Sequence, residues 1–304
     1  MWSTARKNPG GLVLCVRYVI WYFLPKIDEQ REFKMPTEKL FDVCSEIVVV
    51  TGATGQLGNE YLRAFLERGA RVAGLDLRPT VGSDSLSTQY PENFMFCAAD
   101  VTSKTSLQRT HEHIARKFGT PTVLINNAAI DSSPSAPPEE NGPFEEYPEA
   151  SWDKVIDVNL KGVYLCCQVF GTAMAKAGKG SIINVASIYG VVSPDQNLYE
   201  YRRQRGEVFF KPVAYSASKS GILNLTRYLA VYWAKKNVRV NSLTIAGVFN
   251  NQEQAFLDVY CGRIPIGRMA KADEYCGSVL FLASPASQYM TGSNLVIDGG
   301  WTAI

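Results

Sequence analysis

Histidine is almost absent from these 304 residues: His111 and His113 are the only two, and both fall in a polar helical stretch where they are expected to face solvent. Catalysis by a histidine base and a histidine-held zinc are therefore not expected, and no metal site is read. The seven cysteines (Cys15, Cys44, Cys97, Cys166, Cys167, Cys261 and Cys276) show no C-x-x-C spacing and are odd in number. That is the pattern of reduced cytosolic thiols, and it excludes a disulfide scaffold. Excess charge is lacking too, since 31 basic against 29 acidic side chains leave +2, which argues against a nucleic-acid partner. No internal repeat is evident.

The mostly apolar run Leu12 to Leu24, 13 residues broken by Arg17, falls short of the roughly 20 that a membrane span needs. Residues 1–45 read as a peripheral anchor, as an added helix, or as an extension upstream of a start at Met35. The extension is favoured. Any membrane contact would come through this segment, and the rest reads as a cytoplasmic domain, 46–304.

What the chain has in quantity is apolar side chains, 46% of the total, arranged in alternating strand-like and helix-like segments. Strands are expected at Ile47 to Val50, Arg71 to Leu75, Phe94 to Ala98, Val123 to Asn126, Ser181 to Ala186, Val238 to Leu243 and Asn294 to Ile297. Helices are expected at Asn59 to Arg68, Ser106 to Phe118, Trp152 to Met174 and Val213 to Lys235. Such alternation predicts an α/β fold, a doubly wound parallel sheet with helices on both faces.

Tyr215 and Lys219 stand four residues apart, and on a helix that spacing puts a phenol and an ammonium on one face. Bringing a phenol from ~10 to about 7 takes roughly 4 kcal/mol, and a cation about 4 Å away at an effective dielectric of ~20 supplies about that. The pair therefore reads as a proton-transfer centre. Upstream, Thr51-Gly52-Ala53-Thr54-Gly55-Gln56-Leu57-Gly58 joins a strand to a helix, the setting in which backbone amides cradle a pyrophosphate. Asp76 ends the next strand, where a carboxylate binds the adenosine ribose and favours NAD, although Arg78 could soften the discrimination and leaves NADP open.

Together with Asn126-Asn127-Ala128-Ala129, Asn159 and Ser187, these motifs resemble the classical short-chain dehydrogenase/reductases, in the family's order and over Glu46 to Ile304. The resemblance implies a seven-stranded Rossmann-type domain. It also implies that Ser187 holds the substrate oxygen, Tyr215 is the general acid/base, Lys219 lowers the tyrosine pKa and binds the nicotinamide ribose, and Asn159 supports a water relay. On the cofactor side it implies Gly52, Thr54, Gly55, Gln56, Leu57, Gly58 and Asp76 in the phosphate and ribose cradle. Asp100 and Val101 fall at the adenine, and Asn126, Asn127, Ala128, Ala129 and Val248 along the remaining wall. A homodimer or homotetramer built on the helices around Trp152 to Met174 and Val213 to Lys235 is the family's expectation.

Three departures bear on function. Gln56 takes the place of a family glycine, a spacing closer to the extended branch, yet the chain ends 89 residues after Tyr215 and leaves no room for that branch's second domain. Ile245-Ala246-Gly247 stands where the family has proline and glycine, which puts the backbone beside the nicotinamide in doubt. Ser187 and Tyr215 are 28 positions apart, about twice the family interval. The extra chain, Val192 to Pro212, carries Tyr199, Tyr201, Arg202, Arg203, Arg205 and Lys211, read as a grip on an anionic or glycosyl substrate. Ser132 to Pro148 is expected to be a loop at the mouth of the site.

Ser187 to Asp195, Gly247 to Gln252 and Asp298 to Thr302 look similar to oxidoreductases of bacterial surface-polysaccharide and flagellin-glycan pathways, including the legionaminic type. The expected activity is nicotinamide-dependent hydride transfer at an alcohol or ketone carbon of a small, sugar-derived molecule. A nucleotide-sugar epimerase or dehydratase that retains NAD, and a non-catalytic dinucleotide-binding protein, stand as alternatives.

Overall fold

The computed structural model describes residues 36–131 and 138–304, and Thr37–Ile304 form one compact unit. The run Leu12 to Leu24 lies outside the described residues. Strands β1 (Ile47–Thr51), β2 (Arg71–Asp76), β3 (Phe94–Ala98), β4 (Val123–Asn126), β5 (Gly180–Ser187), β6 (Val238–Ile245) and β7 (Asn294–Ile297) form a seven-stranded sheet in the order β3-β2-β1-β4-β5-β6-β7. Every pairing is parallel.

Residues of β1 show why the sheet needs cover on both faces. Ile47 and Val49 pack into one apolar cluster, and Val48 and Val50 into another on the opposite face, as the two-residue repeat of a strand requires. Each such side chain contributes about 1.5–3 kcal/mol by burial. The order reverses direction at β1, which pairs with β2 on one side and β4 on the other. The chain leaving β1 and the chain leaving β4 therefore part in opposite directions, and the crevice between them lies at the carboxyl edge of the sheet.

The helices are α1 (Gln56–Leu66), α2 (Val81–Gln89), α3 (Lys104–Lys117), α4 (Glu149–Ile156), α5 (Gly162–Cys166), α6 (Thr172–Ala177), α7 (Glu200–Arg203), α8 (Val213–Trp233), α9 (Gln254–Cys261) and α10 (Cys276–Ala283). α4, α5 and α6 are one run interrupted by single π-turns at Asp157–Lys161 and Cys167–Gly171, where the sequence predicted one uniform helix. The first of these turns holds Asn159. α1 starts at Gln56, three residues earlier than expected, so Gly55 itself is its N-cap. His113 is exposed, but His111 turns inward and packs edge-on against Phe170, ring centroids 5.8 Å apart. This corrects the expectation that both histidines face water. Among the described residues no helix is long and apolar enough to cross a membrane.

Candidate active site

The turn after β1 is shaped by what cannot fit there. Gly52 has φ +64°, and a Cβ on it would come within 2.8 Å of the Ala128 backbone. A Cβ on Gly58 would sit 2.1 Å from the Gly52 carbonyl oxygen. The Gly55 cap offers no side-chain acceptor to the first amides of α1, so these N–H groups face the crevice at the positive end of the helix dipole. Asn127 laces this turn to the end of β4: its side-chain amide donates to the carbonyls of Thr51 and Gly52, both at 3.1 Å, and the N–H groups of Asn127 and Ala128 donate to Thr51 Oγ1, both at 3.0 Å. Asp76 is fixed as well. Its Oδ2 accepts from Thr54 N at 3.0 Å and Thr54 Oγ1 at 2.7 Å, and its Oδ1 from Leu77 N at 2.8 Å. A backbone anion cradle beside an oriented carboxylate fits the diphosphate and ribose of a dinucleotide.

These groups open onto a cleft of about 1250 Å³. Of the residues expected to bind cofactor, Gly52, Thr54, Gly55, Gln56, Leu57, Asp76, Asp100, Val101, Asn127, Ala128, Ala129, Tyr215 and Val248 line it. Gly58 shapes the turn from behind. Asn126 does not line the cleft: it is buried, and its amide donates to Asn184 Oδ1 at 2.8 Å, which continues to Thr226. The strand's alternation points Asn126 into the interior and Asn127 toward the crevice, which corrects the reading of Asn126 as cofactor wall.

Ser187 ends β5, and Tyr215 lies in the first turn of α8; both line the cleft, and Ser187 Oγ accepts from Tyr189 N at 3.2 Å. Lys219 sits one turn on, fully enclosed behind Tyr215; its Nζ donates to the Val185 carbonyl at 2.9 Å and lies 5.8 Å from the centre of the Tyr215 ring. Asn159 is buried. Its Oδ1 accepts from Ile130 N at 2.8 Å, and its Nδ2 donates to Ile130 O at 2.9 Å and Ser218 Oγ at 3.2 Å. It thereby ties the loop after β4 to α8.

The electrostatics differ from the sequence expectation. Burial pushes the Tyr215 pKa up, and the carboxylate of Asp131 adds to that, while the Ser187 hydroxyl opposes it. Burial likewise brings Lys219 down to about 8, Asp131 opposing. In both groups the cost of taking the charge out of water is the largest influence.

Two of the sequence departures find a structural answer. The Ile245-Ala246-Gly247 segment is held without proline: Tyr260 Oη accepts from Gly247 N at 2.9 Å, Tyr275 Oη donates to Ala246 O at 3.3 Å, and Ala270 N donates to Gly247 O at 3.3 Å. Gln56, in the glycine's place, donates its side-chain amide to Phe249 O at 2.8 Å, bridging the phosphate turn and the loop after β6. Tyr260 and Tyr275 carry no sequence signal for this role, because both belong to segments without a motif.

The extra chain between Ser187 and Tyr215 folds into a 3-10 turn, Gln196–Tyr199, followed by α7. Leu198, Tyr199 and Phe209 pack with Tyr260, Ile264 and Met269. A ladder of rings runs Phe209, Tyr199, Phe256, Tyr260, Trp301, with centroid spacings of 4.7, 5.8, 5.0 and 4.6 Å. The cations of this segment meet carboxylates of the chain itself: Arg202 with Glu207 at 2.6 Å, Arg203 with Glu200 at 2.6 Å, Arg205 with Glu253 at 3.0 Å and Lys211 with Asp131 at 2.5 Å. Tyr199, Tyr201, Arg202 and Lys211 reach the cleft; Arg203 and Arg205 do not. Of the mouth loop Ser132 to Pro148, residues 132–137 lie outside the described residues, and the rest forms short 3-10 turns at Pro138–Asn141 and Phe144–Glu146.

Comparison with known proteins agrees with this geometry. A family profile described as enoyl-(acyl carrier protein) reductase matches residues 52–302. An NAD-dependent glycerol dehydrogenase of Listeria innocua is 31% identical over 270 residues, 87% of this chain and 97% of its own. A D-threitol dehydrogenase of Mycolicibacterium smegmatis is 32% identical over 270 residues, 86% of this chain and 95% of its own. The crystal structure of a short-chain dehydrogenase from Leptospira borgpetersenii with bound NAD+ superposes with a TM-score of 0.74 at 34% identity, covering 84% of this chain and 92% of that one.

Proposed function

The chain belongs to the classical short-chain dehydrogenase/reductase family, and from that premise we propose that it is an NAD-dependent dehydrogenase interconverting a secondary alcohol and a ketone on a small neutral polyol or sugar-derived substrate. The observation that carries this reading is the Ser187–Tyr215 hydroxyl pair at one end of a cleft whose other end is the glycine turn and Asp76.

The residues present fit the dinucleotide. The α1 amides and Gly52 take the diphosphate, Asp76 the adenosine ribose, and Asp100 and Val101 the adenine. Bound there, the nicotinamide supplies the hydride acceptor or donor. The protein's own part is proton handling and orientation: Ser187 holds the substrate oxygen, Tyr215 takes or gives its proton, and Lys219 sets a cation behind the phenol. Asn159 keeps the Ile130 backbone in place beside them.

A neutral substrate is favoured over an anionic one because the cations of the extra segment are matched by Glu207, Glu200, Glu253 and Asp131. The relatives named for glycerol and threitol support a polyol. None of the proteins compared above is named for surface-glycan chemistry, so we adopt the polyol reading over the legionaminic-type one. Asp76 favours NAD because its charge repels a 2′-phosphate. We also read the protein as cytoplasmic and as a homodimer or homotetramer, with the exposed Tyr228, Val231 and Tyr232 of α8 on the associating face.

The test is nicotinamide absorbance during incubation with NAD or NADP and a panel of polyols, sugar acids, sugar phosphates and nucleotide sugars, with Tyr215→Phe as control. Tyr215-dependent NADH formation on a polyol is expected. Conversion of a nucleotide sugar without net reduction would replace this reading with an epimerase. NADH binding without turnover of anything would favour a binding protein.

A further inference from the structure

Lys211 differs from the other cations of the extra segment in where its charge lies. Its side chain is 9% exposed, and its Nζ sits 5.1 Å from the centre of the Tyr215 ring and 5.9 Å from that of Tyr189. Both tyrosines line the cleft. The position is built: the side-chain amide of Gln196 accepts from Lys211 N at 2.8 Å and donates to Lys211 O at 3.1 Å, clamping the backbone from two sides. Opposite stands Asp131, which leaves the end of β4 directly after Ile130, the residue Asn159 holds. Its carboxylate meets Lys211 Nζ at 2.5 Å, and its field reaches both Tyr215 and Lys219.

We propose that Asp131 and Lys211 form a second anchor in the substrate site, taking a hydroxyl on the carbon next to the one that reacts, so that the enzyme selects vicinal polyols over simple secondary alcohols.

The proposal rests on the dehydrogenase reading and adds the feature that sets specificity. A hydroxyl both gives and takes a hydrogen bond. A carboxylate and an ammonium side by side meet both needs, the carboxylate accepting the proton and the ammonium donating to the oxygen. The pair carries no net charge, and its carboxylate turns a phosphate or carboxylate away, which matches a neutral ligand. An ion pair kept only for stability is worth little at a protein surface, about 0–1 kcal/mol; here the carboxylate is partly exposed, while the ammonium is enclosed beside the rings of two cleft tyrosines, Tyr215 among them.

The experiment compares wild type, Asp131→Asn and Lys211→Met on glycerol, threitol and isopropanol, the last being a secondary alcohol with no neighbouring hydroxyl. NADH titration by fluorescence checks that each variant folds, and threitol binding to the NADH complex is measured alongside turnover. Wild type is expected to favour the polyols by at least about tenfold in kcat/KM, and both variants to lose that preference mainly through KM, the size expected when a charge-assisted hydrogen bond is removed. Tyr215-dependent turnover whose polyol preference survives in both variants, or is missing from wild type, overturns the anchor and leaves the dehydrogenase reading standing. Threitol binding that weakens in the variants without any turnover supports the anchor and removes the dehydrogenase reading. Absence of both binding and turnover on these compounds overturns the anchor.

Discussion

The hydroxyl of Tyr260 accepts a hydrogen bond from Gly247 N at 2.9 Å, which ties α9 to the backbone at the end of β6 where other family members carry a proline and a glycine. Substituting Tyr260→Phe leaves that N–H without its acceptor, at a cost of about 1–3 kcal/mol. A lower thermal midpoint together with a fall in kcat is expected. An unchanged midpoint and unchanged kinetics would mean that the remaining bonds at Ala246 and Ala270 suffice to hold the segment.

Gly58→Ala should weaken cofactor binding. Its new methyl would lie 2.1 Å from the Gly52 carbonyl oxygen, so the turn must move, and overpacking of this kind costs about 1–3 kcal/mol. NADH titration is expected to show at least about tenfold weaker binding, because the amide cradle is displaced.

Asp76→Asn keeps an acceptor for Thr54 and removes the charge. The ratio of kcat/KM for NADP to that for NAD is expected to rise by about tenfold as repulsion of the 2′-phosphate disappears. No change would place the discrimination elsewhere, for instance with Arg78.

Lys219 gives two opposite pH trends. Its folded pKa of about 8 lies below the ordinary 10.5. Below about 8 both folded and unfolded chains carry the charge, and the folded state bears the full cost of enclosing it. From about 8 to 10.5 the folded state is neutral while the unfolded chain still holds its proton, so this group's contribution to stability rises with pH. Activity that needs the ammonium falls over the same interval. As pH rises above about 8, wild type should lose kcat/KM while its denaturation midpoint gains relative to Lys219→Met, and the variant should show neither trend. Parallel curves would show that the lysine's charge plays no part in the proton transfer.

The strands, the glycine turn and the Tyr215/Lys219 face were legible because each is a local pattern: apolar runs, a backbone that must turn tightly, and a four-residue spacing on one helix. What the sequence did not disclose depends on distant partners. Arg205 finds Glu253 and Lys211 finds Asp131 across long stretches of chain, so a segment that reads as bare positive charge folds into ion pairs. Asn126 and Asn127 are neighbours in one motif, yet only the pleat decides which faces the crevice. The balance between burial and attraction at Tyr215 and Lys219 could not be read from spacing, because spacing fixes their proximity and says nothing of the water each has lost.

The long interval between Ser187 and Tyr215 has a thermodynamic side. Closing a loop of twice the length costs only about 0.6 kcal/mol more in chain entropy, less than the burial of a single side chain such as Leu198 returns. The wall that meets the substrate can therefore lengthen and change its side chains while β5 and α8 keep the serine and tyrosine in register. On the proposed reading, the reaction is carried by the scaffold and the choice of substrate by a segment whose length costs the fold little.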